Sequence, residues 1–126
     1  MKLNNECVRE LLLYLEKLPS KTAQLPFAKI QIDGFSEDEI KFTGSILVKS
    51  GFVEGVSATS LEDTIPNYIF QSITLKGYNF LNNIRSPEVW SKTKVALSHL
   101  ENVSIDIIST VSSKVLNHLI DKGMGY

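Results

Sequence analysis

The chain has one cysteine, two histidines, one tryptophan and four prolines in 126 residues, and each scarcity excludes something. Cys7 has no partner for an intramolecular disulfide, and Met1-Lys2-Leu3-Asn4-Asn5-Glu6 runs into an amphipathic pattern without the apolar block of a signal peptide. The expected location is cytoplasmic. No apolar stretch approaches the roughly 20 residues that cross a bilayer, so no membrane partner is expected. The triplet Asn102-Val103-Ser104 then reads as incidental, because glycosylation belongs to secreted chains.

Chemistry-bearing clusters are equally scarce. A zinc site uses three or four closely spaced ligands, whereas Cys7, His99 and His118 lie far apart, so no metal is expected. Nucleophilic catalysis needs a base within reach of the nucleophile, and the sequence places no histidine near Cys7. Gly51 and Gly55 lack the Gly-Lys-Ser/Thr continuation of a phosphate loop. Glu37, Asp38 and Glu39 are not followed by the alternating oxygen ligands of a calcium loop, and they read as helix-start residues. The expectation is a protein that is not an enzyme and holds no cofactor.

What is present is an ordinary globular composition, 43% apolar and 21% charged, in a chain of one-domain size. Charge divides unevenly. Residues 1–66 hold 7 Lys/Arg against 10 Asp/Glu, and residues 67–126 hold 6 against 4. Phosphate neutralisation leaves a basic footprint on most nucleic-acid binders, and this chain carries no strong one.

Val8, Leu11, Leu12, Leu15 and Leu18 recur at helical spacing between Asn5 as a cap and Pro19 as a stop. After a loop from Pro19 to Pro26, residues 27–32 alternate in part and end at Asp33-Gly34, which predicts a short strand. Ser36-Glu37-Asp38-Glu39 fits a capping box opening a second helix, interrupted near Gly44 and ended by Ser50-Gly51. Residues 52–56 and 68–73 predict a hairpin with a long polar tip. Thr74, Ser86-Pro87 and Ser104 each open a further helix. Tyr68, Phe70, Tyr78, Phe80 and Trp90 fit core positions better than a base-stacking platform.

The order helix, strand, helix, hairpin, with Leu47 to Val53 delivering the chain into the hairpin and Ile73 to Leu81 closing it, resembles a winged-helix domain. Taken whole, the chain also resembles a family of bacterial and phage proteins catalogued as domain of unknown function 2513. The residues that carry the likeness are Met1 to Asn4, Val8 to Leu13, Thr74 to Leu81 and Asn83 to Lys94. Residues 55–66 contribute nothing to it, and Phe42-Thr43 stands where the family usually has an aromatic-His pair. The resemblance implies a winged-helix-like core and a prophage or mobile-element setting, and it implies no activity.

The expected fold is therefore α+β: a winged-helix-like core over residues 1–84 and a helical extension over 85–126, either part of the same unit or a dimerisation element. Two functional readings remain. The favoured one is a DNA-binding regulator, with Lys41, Thr43, Ser45, Lys49 and Ser50 on the reading face of the second helix and Lys76, Arg85, Lys92 and Lys94 beside the wing. The alternative is a phage accessory factor that binds a host or phage protein without touching DNA. Ile108, Val111, Val115 and Leu119 form an apolar stripe on the last helix and are the candidates for a homodimer contact.

Overall fold

The computed structural model describes residues 1–19, 24–101 and 103–123. Residues 20–23 of the expected loop and Asn102 of the glycosylation triplet lie outside the described residues. The fold is α+β, with five α-helices and a three-stranded antiparallel sheet among the described residues.

Helix α1 (Asn5–Glu16) is capped by Asn4 rather than Asn5, through an Oδ1 that accepts from the Glu6 and Cys7 amides. Its buried stripe of Cys7, Val8, Leu11, Leu12 and Leu15 is the helical periodicity made physical. The next segment departs from expectation. Strand β1 is only Leu25–Pro26, followed by a 3₁₀ turn at Phe27–Lys29. Phe27 and Ile30 are both buried and three residues apart, which is a 3₁₀ repeat and not strand alternation. The Ile30 amide closes the turn on the Phe27 carbonyl at 3.0 Å.

Helix α2 (Glu37–Lys49) opens on the complete Ser36/Glu39 capping box and runs through Gly44 unbroken. The glycine is a packing requirement: a Cβ there would lie 2.6 Å from Cγ of the Phe27 ring. Gly51, at φ 82°, then turns the chain out of α2 in a conformation that suits glycine. The Phe52 amide closes that exit on the Leu47 carbonyl at 3.0 Å.

Strands β2 (Val53–Ser57) and β3 (Tyr68–Ile73) form the hairpin, with a register irregularity at Glu54/Gly55. Leu25 and Pro26 pair with Phe70 and Ile69, so the sheet order is β1-β3-β2. A helix, a minimal strand, a second helix and a two-stranded hairpin follow one another in the order expected of a winged-helix domain.

Helix α3 (Leu75–Ile84) starts at Thr74, whose hydroxyl accepts from the Gly77 amide at 3.1 Å and donates to the Gly51 carbonyl at 2.6 Å. Helix α4 (Pro87–Leu97) has Ser86 as its cap and Pro87 in its first turn, where a missing N–H costs nothing. Helix α5 (Ile105–Gly123) turns Ile105, Ile108 and Ser112 inward. The buried side chains of α1, α2, the hairpin, α3, α4 and α5 form one cluster, with Phe52 against Phe80 at 5.2 Å between ring centroids. Trp90 and Phe80 are buried as expected of core aromatics, whereas Tyr78 is 44% exposed. Among the described residues no helix is long and apolar enough to cross a membrane.

Candidate functional site

In helix-turn-helix proteins the second helix offers an open face to DNA, and α2 offers very little. Of its thirteen residues only Glu37, Asp38 and Lys49 are exposed. Thr43 and Ser45, expected on the reading face, are 1% and 2% exposed. The physical reason is their small size. Ser45 satisfies its hydroxyl by donating to the Phe42 carbonyl at 2.7 Å, which lets a polar side chain sit against neighbours as alanine would. Ser50 is half-buried, and its carbonyl accepts from Lys76 Nζ at 2.9 Å.

The hairpin adds further acids, Glu54 near its base and Glu62 and Asp63 at its tip. Glu54 and Glu62 are exposed, and Asp63 lies close enough to Lys41 to feel its charge. The Asp63 carboxyl is held below its ordinary value, first by accepting from the Ser60 backbone and, in smaller part, by Lys41. Glu37, Asp38, Glu54, Glu62 and Asp63 therefore outnumber Lys41 and Lys49 on α2 and the wing.

Three basic candidates of the second half, Lys76, Arg85 and Lys94, are tied to carboxylates on other elements of the fold. Lys76 joins three elements: its Nζ donates to Ser50, pairs with Asp106 at 2.9 Å and lies 4.5 Å from the Phe52 ring centroid. Arg85 makes a two-pronged pair with Glu16, both contacts at 2.6 Å. That pairing lowers the Glu16 carboxyl and raises the Arg85 guanidinium. Lys94 pairs with Glu6, which also accepts from Trp90 Nε1. Burial alone would raise Glu6, but the Lys94 and Trp90 hydrogen bonds outweigh it and the carboxyl ends below its ordinary value. Lys92 is 4.0 Å from Glu88, one helical turn back. These pairs are long-range apart from the last, so sequence spacing gave no sign of them. Arg9 is a further brace that sequence reading missed: it donates to the Ile84 and Arg85 carbonyls at 2.9 Å and satisfies the end of α3.

The stripe on α5 divides. Ile108 is 0% exposed and belongs to the core, so it has no surface to offer a second chain. The helix folds back on α3 and α4 through that inner side. Val111, Val115 and Leu119 remain half-buried. Val111 and Val115, with Ala96 of α4, floor a surface groove of about 420 Å³ whose polar rim is Lys92, Lys114 and His118. A wider cleft of about 580 Å³ lies between α3 and α5, where Lys76 is already committed to Asp106.

The wing carries the opposite chemistry. Leu61 is fully exposed at its tip, between Ser60 and the carboxylates Glu62 and Asp63. The tip is a built turn: the Ser60 amide donates to Asp63 Oδ2 at 2.7 Å, and the Asp63 amide to the Ser60 carbonyl at 3.1 Å. Below it Thr59 Oγ1 accepts from the Asn67 amide at 2.9 Å and donates to the Asn67 carbonyl at 3.1 Å.

Cys7 is buried on the inner face of α1 and its thiol is pushed up by that burial. His99 and His118 are exposed on separate segments. Among the described residues no three His, Cys, Asp or Glu side chains converge to hold a metal.

The family model described as Hypothetical protein (DUF2513) matches residues 2–104. An uncharacterized protein of Haemophilus influenzae is 25% identical over 122 residues, covering 95% of this chain and 99% of that protein. No solved structure matches.

Proposed function

The chain belongs to the family described as Hypothetical protein (DUF2513), and from that premise we propose that it is a non-catalytic, winged-helix-like module that binds a protein partner through the acidic side of α2 and the wing. It acts in the cytoplasm as an accessory factor in a phage or mobile-element setting, the setting implied by the family resemblance.

The observation that carries the reading is the sign of the charge on the surface a winged helix would turn toward DNA. Glu37 and Asp38 sit at the N-terminal turn of α2, and Glu54 and Glu62 on the hairpin. Recognition helices commonly contact base edges with their N-terminal residues, and two exposed carboxylates there meet phosphates with repulsion. Lys76, Arg85 and Lys94 are each paired with a carboxylate of the chain itself, so phosphates would have to displace those acids to use the three cations. The same acidic surface suits a basic protein surface, where complementary charge speeds encounter and fixes orientation.

The test is fluorescence anisotropy of labelled random duplex DNA at low and at physiological salt. The proposal expects no binding at either, and binding by a Glu37→Lys, Asp38→Lys, Glu62→Lys variant at low salt only. Micromolar, salt-sensitive binding by the unmodified chain overturns it in favour of the DNA-binding regulator.

A further inference from the structure

We infer that the α4/α5 groove is the docking site for the wing tip of a second copy of this chain, with Leu61 as the apolar anchor and Glu62 and Asp63 facing the Lys92, Lys114 and His118 rim. The inference rests on the reading of the wing as a protein-docking element, and it names one partner for it.

Two surfaces of the same chain carry opposite halves of one interface. The groove is floored by Ala96, Val111 and Val115 and rimmed by Lys92, Lys114 and His118, with no carboxylate among its lining residues. The tip presents one fully exposed leucine followed by two acids. An exposed leucine on a mobile loop needs no explanation, since single apolar residues are common on surfaces. Here the loop is fixed by four hydrogen bonds, two across Ser60/Asp63 and two across Thr59/Asn67. A fixed turn removes much of the ordering entropy that binding otherwise costs, so the leucine is held in a bound-ready form.

The acids are held ready as well. Asp63 accepts from the Ser60 amide, which holds its carboxyl below the ordinary value, and Glu62 is exposed. Within one copy, Leu61 stays in solvent, so the groove it fits is that of another molecule. The contact is heterologous, wing of one copy to groove of the next. It differs in kind from a symmetric pairing of two α5 helices.

That difference gives the test, sedimentation velocity of the full chain at rising protein concentration. The unmodified protein is expected to associate, and to do so less as salt rises. Leu61→Asp removes the anchor and Ala96→Glu blocks the groove floor. Both positions are exposed, so both variants keep the fold, which circular dichroism checks. Each is expected to weaken association on the order of 10- to 100-fold, the effect of losing one buried leucine side chain. An equimolar mixture of the two variants is expected to form a capped one-to-one complex, because one supplies an intact groove and the other an intact wing. A monomer at every concentration overturns the inference, as does a mixture that stays monomeric. Association untouched by Leu61→Asp but lost with Ala96→Glu overturns it in favour of paired α5 helices. None of these three results touches the proposed function, whose failure shows instead as DNA binding.

Discussion

Gly77→Ala gives the sharpest check on how the wing is fastened to the helical body. A Cβ at this position would lie 2.0 Å from the Phe52 carbonyl oxygen and 2.7 Å from Ile73 Cγ2. Carbon-to-oxygen contacts normally stay near ~3.3 Å or beyond, so backbone would have to move by more than ~1 Å. The Phe52 carbonyl also accepts from the Thr74 amide at 3.1 Å, and the Thr74 hydroxyl caps α3 through the Gly77 amide at 3.1 Å. Overpacking of this kind costs about 1–3 kcal/mol and a lost cap about 1 kcal/mol, while alanine recovers about 1 kcal/mol of helix propensity. The balance is a net loss of about 2–4 kcal/mol if the displaced backbone also forfeits the Thr74 bond. Urea unfolding followed by circular dichroism reads it, with Gly123→Ala as the control because nothing lies within 4 Å of that position. The control is expected within about 0.5 kcal/mol of the parent. A Gly77→Ala protein as stable as its parent would refute the close approach of α3 to β2 that sets the wing's direction.

Acid sensitivity follows from Glu6 and Glu16, whose folded carboxyls both lie below the ordinary 4.5. Depressed acids contribute stability above their unfolded value and lose it as pH falls through the folded one. Urea midpoints should therefore fall on acidification below about 4.5, and Glu16→Gln should flatten that fall; an unchanged slope would mean that the Arg85 pair is not held in solution. Cys7 is 0% exposed and its thiol is raised by burial, so a thiol reagent should modify it only as fast as the fold opens. Rapid labelling of the native protein would contradict the packing of α1.

Local signals in the sequence located most of the helices, because caps and helical spacing act over a few residues. Ser36 with Glu39, Thr74 and Ser86 with Pro87 open helices where they were expected to. The strand expected over 27–32 failed because two apolar residues three apart fit a 3₁₀ turn as well as a strand, and only the fit of Phe27 over Gly44 decides between them. Polarity alone places Thr43 and Ser45 at the surface, yet both are buried, Ser45 with its hydroxyl donating to the Phe42 carbonyl. The stripe on α5 showed an amphipathic helix but not which residues meet the core: Ser112 turned inward with Ile108. Lys92 and Ala96 reach the groove from another helix, and the pairs Glu6 to Lys94 and Glu16 to Arg85 span most of the chain. Such contacts exist only once tertiary structure brings their elements together. Leu61 had no local pattern to mark it, and its meaning depends on the turn that holds it.

The most direct measurement of the central claim is an amide NMR titration of the isotopically labelled full chain at low salt, with random duplex DNA in one series and a lysine-rich peptide in the other. The account predicts that the peptide shifts amides around Glu37, Asp38 and the wing tip from Ala58 to Asn67, while DNA shifts nothing there. DNA-induced shifts along α2 and the wing, with the peptide silent, would contradict it and make the acidic side of this fold a DNA-binding surface after all.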